Sequence, residues 1–382
     1  MSWSQRISEA LAARQQGNLL RTRQATQPGE SRLLYWQGRH YLNFSSNDYL
    51  GLSHDARVIR AWQQGADRYG VGSGGSGHVT GYGVAHQQFE EQLAAWLGYP
   101  RALLFNSGYS ANQAVINTLM QKGDLIIADK LCHASIMEAA MHSPATLRRF
   151  QHNDQAALQR VSSRASGGEK LLISEGVFSM DGDTGALPML AAAATQSGSL
   201  LMVDDAHGIG VMGEQGRGSC DAHQIKADIL VVTFGKAFGV SGAALLCDSQ
   251  TAQYIEQFAR HLIYSTMMPH AQAVALSAAL ECIRHGEALR ARLARNIQRF
   301  CAGFRSSSLH RLAVSGAIQP IIVGDNQRAL QLEQHLRQQG IWATAIRPPT
   351  VPPGSARLRI TLNATHRPDD IDRLLEVLNA WH

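Results

Sequence analysis

The chain has few charged residues and few prolines for its length. Only 17% of its 382 residues are charged, while 45% are hydrophobic; a soluble protein usually has roughly 25% charged residues. The hydrophobic share excludes a wholly disordered chain. Such low charge in a large protein favours burial of some surface between subunits, so we expect an oligomer. With 11 prolines against 35 glycines, tight turns and close backbone approaches are expected rather than extended linkers.

Long apolar runs, cysteine motifs and basic clusters are also missing. No run approaches ~18 apolar residues, and the N-terminal segment has no apolar core, so we expect neither a membrane span nor a signal peptide. Five widely spaced cysteines form no CxxC or Cys/His pattern, which predicts reduced thiols in the cytoplasm and no metal site. The net charge of +5 comes without a Lys/Arg run, so nucleic acid is not an expected partner.

Short apolar runs alternate with helical patterns, which predicts an α/β fold with a mainly parallel, doubly wound sheet. Helical patterns follow several runs, notably at 109–121, 133–142 and 188–197. In such sheets, functional residues gather just beyond the carboxyl ends of the strands. The seven candidate strands are 102–105, 125–128, 147–150, 171–174, 201–204, 229–233 and 243–246.

Three parts are expected along the chain. Residues 1–44, an N-terminal helix and a hairpin that turns at Gln37-Gly38, should associate with a small domain. Residues 45–285 should form the large domain, and residues 286–382 a smaller αβ domain. The stretch 268–304 is expected to form one long helix or two joined ones.

A glycine-rich segment, residues 70–83, satisfies the GxGxxG pattern of dinucleotide sites. That pattern must follow a strand and open a helix. The residues before it have a helical pattern, so the dinucleotide interpretation is rejected and a long loop is expected. The loop remains suited to a close approach by a ligand or a partner subunit.

Lys236 is unusual among only five lysines, since it lies in TFGKAFG directly after the apolar run ILVVTF. Apolar surroundings would lower the pKa of its amine and favour the neutral form, which can form a Schiff base. The alternative is a lysine that extends from a strand end to solvent. The local context alone leaves the two interpretations about equal.

The segment LMVDDAH, residues 201–207, ends an apolar strand in two carboxylates and a histidine. Alternation along a strand sends Asp204 and Asp205 to opposite faces, so one can reach the site while the other pairs nearby. A carboxylate there could keep a pyridine nitrogen protonated. On its own, this segment is more typical of a helix cap followed by a structural histidine.

Three other strand ends carry polar groups. Gly108 and Tyr109 would offer backbone N–H groups at a helix N-terminus, which is an anion site or a plain cap. His133 could stack on a flat ring or cap a helix, and Ser179 follows strand 171–174 in a similar way. Together with Lys236 and the carboxylates of the preceding segment, these groups match the needs of pyridoxal phosphate. The cofactor requires a Schiff-base lysine, a carboxylate at the ring nitrogen and a phosphate cradle.

Six longer motifs are distributed along the chain: NFSSNDYLGLS (43–53), GSGGSGHVTGY (72–82), SEGVFSMDGD (174–183), VDDAHGIGVMGEQGRGS (203–219), VVTFGKAFGVSGA (231–243) and IRPPTVPPGSARLRITL (346–362). They are similar to motifs of the α-oxoamine synthases, which are fold type I pyridoxal-phosphate transferases, and the resemblance covers essentially the whole chain. It implies a large domain with a mainly parallel seven-stranded sheet and a smaller αβ domain.

The resemblance also implies individual roles. Lys236 would hold the cofactor and move the Cα proton, Asp204 would pair with the ring nitrogen, and His207 would bond the ring hydroxyl. His133 would stack on the ring, and Arg359 would bind the amino-acid carboxylate. The implied catalytic residues are Lys236, His133, Asp204 and His207; the cofactor-binding residues are Gly108, Tyr109, His133, Ser179, Asp204, His207, Thr233, Lys236, Ser265 and Thr266; the substrate-binding residues are Arg21, Asn47, His133, Thr350 and Arg359.

Within this family, GSGGSGHVTGY and IRPPTVP are typical of the members that condense L-alanine with a pimeloyl thioester in biotin synthesis. The acyl carrier would be coenzyme A or an acyl carrier protein. The resemblance further implies a homodimer, in which Ser265 and Thr266 reach the neighbouring subunit's phosphate. Two alternatives stay open: a condensation of glycine with a short acyl-CoA, and a protein that binds the cofactor without catalysis.

Overall fold

The computed structural model describes residues 1–163 and 167–382, which form two compact units. The larger unit comprises residues 52–179 and 183–290, and the smaller unit comprises residues 1–51, 180–182 and 291–382. The domain boundaries expected from the sequence stay predictions, because a compact unit need not fold on its own.

Helices and strands alternate along most of the chain. The helices are α1 (Trp3–Gln16), α2 (Ala56–Tyr69), α3 (Val84–Leu97), α4 (Gly108–Leu119), α5 (Ala134–His142), α6 (Gln155–Ser162), α7 (Leu187–Ser197), α8 (Ser219–Ala222), α9 (Ser249–Phe258), α10 (Arg260–Tyr264), α11 (His270–Arg284), α12 (Glu287–Gly303), α13 (Asn326–Gln338) and α14 (Pro368–Asn379). The strands are β1 (Gln27–Pro28), β2 (Leu33–Trp36), β3 (Arg39–Asn43), β4 (Arg101–Phe105), β5 (Leu125–Asp129), β6 (Thr146–Phe150), β7 (Lys170–Glu175), β8 (Leu200–Asp204), β9 (Ile229–Thr233), β10 (Ala243–Cys247), β11 (His310–Arg311), β12 (Ile318–Gly324), β13 (Ile341–Trp342), β14 (Thr344–Ile346) and β15 (Ala356–Thr361). Throughout residues 1–163 and 167–382, every helix is too short or too polar to cross a membrane.

A seven-stranded sheet forms the centre of the larger unit. Its strand order is β4-β10-β9-β8-β7-β5-β6, and within it β10 alone runs against its neighbours. Strands β5, β9 and β10 are buried along their whole length, as expected where both faces of a sheet are covered. The predicted sheet, mainly parallel and seven-stranded, is confirmed.

The smaller unit contains two four-stranded sheets, with the orders β1-β2-β3-β13 and β11-β12-β15-β14. The predicted hairpin is present as β2 and β3, paired antiparallel. At its turn, Gln37 and Gly38 have φ values of +47° and +78°. A two-residue turn with both residues in the left-handed region matches the twist of the flanking strands, which explains why glycine stands there.

The structure corrects the sequence prediction for the glycine-rich segment and decides between the two alternatives for the stretch 268–304. The glycine-rich segment is not a loop throughout, because Gly77–Gly81 forms one turn of π-helix. A Cβ at Gly81 would overlap the Gly75 carbonyl oxygen, so glycine is required there by the chain's own packing. The stretch 268–304 forms two helices rather than one, α11 and α12, with the break at Gly286.

An imidazole bridges two carboxylates beside the end of β5. His152 Nδ1 lies 3.1 Å from both carboxylate oxygens of Asp129, and Nε2 lies 2.6 Å from Asp183 Oδ2. Because ionised carboxylates only accept hydrogen bonds, both ring nitrogens carry hydrogen and the ring is positively charged. Burial alone would lower the pKa of His152, but the two carboxylates outweigh it and raise the pKa to about 10.

The bridge between His152 and the two carboxylates holds the segment that follows β7. There the Phe178 N–H donates to the Asp183 carbonyl oxygen at 2.9 Å. The neighbouring Asn153 supports the same place, since its amide donates to Asp183 Oδ2 at 3.2 Å and to the Thr184 carbonyl oxygen at 3.0 Å. His152 therefore stabilises the segment that follows the strand.

Replacing His152 with Gln should destabilise the protein by roughly 2 kcal/mol at pH 6, because an amide leaves one buried carboxylate without its partner. The stabilisation that comes from this raised pKa is complete below the unfolded-state pKa of 6.5. It is lost as the pH rises through the folded-state pKa of about 10. The difference in melting temperature between wild type and variant should therefore shrink between pH 6 and pH 10.

His285→Gln is the matched control. That imidazole is 76% exposed and lies 3.5 Å from Glu281, so its removal should change stability by less than about 1 kcal/mol. A His152→Gln variant whose melting temperature differs from wild type by the same amount at every pH would contradict the charged bridge.

Candidate active site

The N-terminus of α4 lies against the end of β9. Ser107 caps the helix by accepting the Ser110 N–H at 3.1 Å, which leaves the first N–H groups of the helix, those of Gly108 and Tyr109, available to an anion. A Cβ at Gly108 would lie 2.6 Å from Thr233 Cγ2. Glycine thus lets the Thr233 side chain lie directly against the helix N-terminus.

Lys236 lies in a tight loop directly after β9. The Gly239 N–H donates to the Lys236 carbonyl oxygen at 2.9 Å, and the Phe234 N–H donates to the Gly242 carbonyl oxygen at 2.9 Å, which closes the loop. The lysine Nζ is 3.4 Å from Thr233 Oγ1. Lys236 is half-buried rather than fully enclosed, while the Phe234 ring beside it is fully buried.

Asp204 and Asp205 have separate partners, as the strand alternation predicts. Asp204 Oδ2 accepts the Asn112 amide at 2.7 Å, and Oδ1 accepts the Ala206 N–H at 3.0 Å. Asp205 instead accepts the Ser219 N–H at 2.7 Å and the Ser219 hydroxyl at 2.6 Å. Burial raises the pKa of Asp205 to about 7, against the effect of these bonds. Asp205 stabilises the turn after β8, and Asp204 remains as the candidate site carboxylate.

His133 caps α5, and the charges of two predicted site residues, Asp204 and Lys236, act on its side chain. Its backbone N–H donates to Glu175 Oε1 at 2.5 Å, and its Nδ1 is 2.8 Å from Ser135 Oγ. Burial lowers the pKa of His133; the charge of Asp204 opposes that shift and the charge of Lys236 adds to it. Burial and the charge of Asp204 raise the pKa of Glu175 well above its usual range.

The remaining predicted cofactor residues also belong to the larger unit. His207 is buried in the turn after β8, and Ser179 is half-buried beyond the end of β7. Thr266 forms a single β-bridge with Ser76, and its carbonyl oxygen accepts the Asn106 amide at 2.8 Å. Ser265 precedes it, directly after α10.

The four predicted substrate residues outside the cofactor set belong to the smaller unit, where they form two pairs. Arg21 Nη2 donates to Thr350 Oγ1 at 2.7 Å. Arg359 is buried on β15 and donates from Nη1 to Asn47 Oδ1 at 2.9 Å. Each pair joins residues that are far apart in sequence, so the fold brings both arginines to a hydrogen-bond acceptor. Their contact with a substrate remains a prediction.

Sequence reasoning assigned no role to three residues that join this cluster. Asn112, Ser135 and Glu175 contact Asp204 or His133. Asn112 lies one helical turn after Gly108 on α4, so a helical projection places both on one face. Ser135 and Glu175 carried no sequence signal beyond their closeness to a strand end.

The larger unit's residues fit pyridoxal phosphate. Thr233 and the first N–H groups of α4 provide anion donors within one space. Asp204 is 6% exposed and accepts two hydrogen bonds, so lone pairs remain for a protonated ring nitrogen. Lys236, within reach of Thr233, supplies an amine. Phosphate donors, a carboxylate and an amine are the groups that this cofactor requires.

Comparisons with known proteins agree with this chemistry. A family model described as aminotransferase class I and II matches residues 39–378. The 8-amino-7-oxononanoate synthase of Serratia proteamaculans is 64% identical over 379 residues, which are 99% of each chain.

Solved structures give the same picture. An 8-amino-7-oxononanoate synthase from Francisella tularensis matches with a TM-score of 0.77 at 34% identity, over 89% of this chain and 97% of that one. A serine palmitoyltransferase variant from S. paucimobilis, described with a bound PLP–myriocin aldimine, matches with a TM-score of 0.94 at 26% identity, over 100% of this chain and 98% of that one.

Replacing Gly108 with Ala should weaken pyridoxal-phosphate binding roughly ten-fold, the effect of losing one hydrogen bond to a charged group. The new methyl would lie 2.6 Å from Thr233 Cγ2, so the threonine side chain must turn away from the helix end. Titration of the cofactor-free protein with pyridoxal phosphate, followed by absorbance, measures the change. Gly167→Ala is the control, since a Cβ there meets nothing within 4 Å. Equal affinity in the two variants would refute the shared anion space.

Proposed function

This chain belongs to the class I and II aminotransferase family, and we propose that it condenses L-alanine with a pimeloyl thioester. The products are 8-amino-7-oxononanoate, carbon dioxide and the free thiol carrier, which is a step of biotin synthesis. One observation carries the proposal: 64% identity to an 8-amino-7-oxononanoate synthase over 99% of both chains. The cluster around Lys236 and Asp204 supplies the chemistry that the reaction needs.

Pyridoxal phosphate, when bound, supplies an aldehyde that links covalently to amines and a ring that withdraws electrons from the amino-acid Cα. Lys236 would hold this aldehyde through its amine, and the same amine would take the proton from the alanine Cα. Asp204 would keep the ring nitrogen protonated, because a nearby negative charge favours the cation. Thr233 and the N-terminus of α4 would hold the phosphate.

The reaction then exchanges one bond for another at the acyl group. A new bond joins the alanine Cα to the acyl carbonyl carbon, the carbon–sulfur bond breaks, and the thiol leaves with the proton that was taken from Cα. The bond between Cα and the carboxylate breaks next, which releases carbon dioxide, and a proton from solvent replaces it at Cα. Atoms balance without an oxidant or a reductant.

The smaller unit provides the residues proposed to select the substrate. Arg359 is the proposed partner of the alanine carboxylate, since a guanidinium can form two parallel hydrogen bonds with it. Its bond to Asn47 restricts how the guanidinium can turn. Arg21 and Thr350, which are hydrogen-bonded to each other, are further residues proposed to contact the substrate. The carrier is coenzyme A or an acyl carrier protein, and the positive net charge suits both.

We also propose that the protein works as a homodimer in the cytoplasm. The larger unit exposes apolar side chains: Tyr264, which directly precedes Ser265, is 74% exposed, and Val71, in the glycine-rich segment, is 88% exposed. A second copy would remove such surface from water. The sequence's five cysteines are all free, which suits a reducing compartment.

Purified protein loaded with pyridoxal phosphate, given L-alanine and a pimeloyl thioester, should release one carbon dioxide for each 8-amino-7-oxononanoate. Mass spectrometry of the ketone product, with L-alanine and glycine as competing amino acids, tests the choice of substrate. A ketone formed from glycine and a short acyl-CoA, but not from L-alanine, would instead support the sister condensation. Bound cofactor with no product from either amino acid would support a non-catalytic protein.

Replacing Lys236 with Ala should abolish turnover and leave the fold intact, because the half-buried side chain adds little to the core while its amine is the proposed base. Turnover by product analysis and the melting temperature are the two measurements. Lys122→Ala is the control, since Lys122 is an exposed lysine in a turn after α4, and it should keep wild-type activity. Near-normal turnover by Lys236→Ala would overturn the assignment.

A further inference from the structure

A continuous row of hydrogen bonds joins the two predicted ring contacts, Asp204 and His133. Asn112 Nδ2 donates to Asp204 Oδ2 at 2.7 Å and to Ser135 Oγ at 2.9 Å. Ser135 Oγ in turn lies 2.8 Å from His133 Nδ1. Asn112 and Ser135 are both fully buried, so these bonds form away from water and their directions are tightly constrained.

The carboxylate fixes the direction at one end of the row. An amide nitrogen only donates, and a carboxylate oxygen accepts, so the Asn112 amide must turn its nitrogen towards Asp204. The opposite orientation would place Asn112 Oδ1 against a negative oxygen. In the observed orientation Oδ1 has no hydrogen-bond partner, although it is buried. An unsatisfied buried acceptor is costly, so the contact with Asp204 outweighs that cost.

The direction then passes along the row. One Asn112 hydrogen goes to Asp204, and the other goes to Ser135 Oγ, which accepts it. The Ser135 backbone N–H points to His133 Nδ1 at 3.3 Å, and because an N–H only donates, Nδ1 is the acceptor. Among the hydrogen-bond contacts of the described residues, Nδ1 is also the one acceptor beside Ser135 Oγ, so the buried hydroxyl directs its hydrogen there. With two donors directed at it, Nδ1 is the unprotonated nitrogen, and the ring hydrogen is on Nε2.

The surrounding charges favour the same state. Burial and the positive charge of Lys236 lower the pKa of His133, and the charge of Asp204 only partly opposes them. A neutral imidazole has one donor and one acceptor nitrogen. Here the acceptor nitrogen is already used inside the protein.

We infer that Asn112 and Ser135 are positioning residues that fix His133 as a neutral ring with its hydrogen on Nε2. His133 then offers a hydrogen-bond donor to an oxygen of the substrate, and it has no lone pair with which to take the Cα proton. The role of these two residues in catalysis rests on the proposed function. The tautomer of His133 does not depend on that function.

The experiment is ring-¹⁵N NMR of the cofactor-loaded protein labelled in histidine. The His133 signals are assigned by their loss in His133→Gln. In the wild type, Nε2 should carry the hydrogen. Ser135→Ala removes the hydroxyl donor, so the ratio of the two neutral tautomers should shift roughly five-fold towards Nδ1–H, and Ser135→Thr should restore it.

Asn112→Ala gives a second, independent arm. Without the amide, Ser135 Oγ loses the donor from which it accepts, and a hydrogen on Nδ1 is the donor that can replace it, so the tautomer ratio should shift in the same direction. The matched control is Ser143→Ala, at the other end of α5, where the hydroxyl accepts the Ala145 N–H at 3.2 Å. Its tautomer ratio should equal that of the wild type.

The outcomes separate this inference from the proposed function. A tautomer ratio in Ser135→Ala and Asn112→Ala within two-fold of wild type overturns the inference, even if the wild type makes product. The expected tautomer shift, in a protein that makes no product from L-alanine, supports the inference and overturns the proposed function. Because the tautomer is read directly, a general loss of stability in a variant does not imitate the result.

Discussion

Asp204 is a buried carboxylate in the middle of the central sheet, and a buried charge is stable only where donors surround it. Asn112, on α4, supplies one donor and thereby fixes how that helix lies against the end of β8. Gly108 is one turn earlier on the same helix, so the contact that satisfies the carboxylate also sets the helix N-terminus beside Thr233. Helix α4 therefore positions the carboxylate and the anion donors relative to each other.

The central sheet could be predicted because six of its seven strands contain a run of apolar residues followed by polar ones; β6, with the sequence TLRRF, is the exception. Buried strands of this kind leave a pattern in the sequence that does not depend on their neighbours. The short strands β11, β13 and β14 have two or three residues, which is too few for any period to show. The π-helical turn was missed because glycine spacing looks the same in a loop and in a tight helical turn, and only the packing of Gly81 distinguishes them.

The site was predicted only in part, for a similar reason. Lys236 and Asp204 follow apolar strands, and the rule that functional groups collect at strand ends finds them. Asn112 and Ser135 lie on helices, where asparagine and serine are ordinary residues. Their roles depend on which helix lies beside which strand, and a single sequence does not state that. Glu175 was hidden for a different reason, since a carboxylate at the end of a strand is expected to be solvated, whereas this one is buried.

The hydrogen bonds that stabilise the larger unit also decide which groups can act as a base. A base needs a lone pair that no donor occupies. His133 Nδ1 receives donors from Ser135, and both nitrogens of His152 carry hydrogen towards carboxylates. Asp205 has its carboxylate taken up by Ser219. The Lys236 amine stands on a short loop directly after β9, with its Nζ 3.4 Å from Thr233 Oγ1. The bonding of the neighbouring groups is thus consistent with our proposal that Lys236 moves the Cα proton.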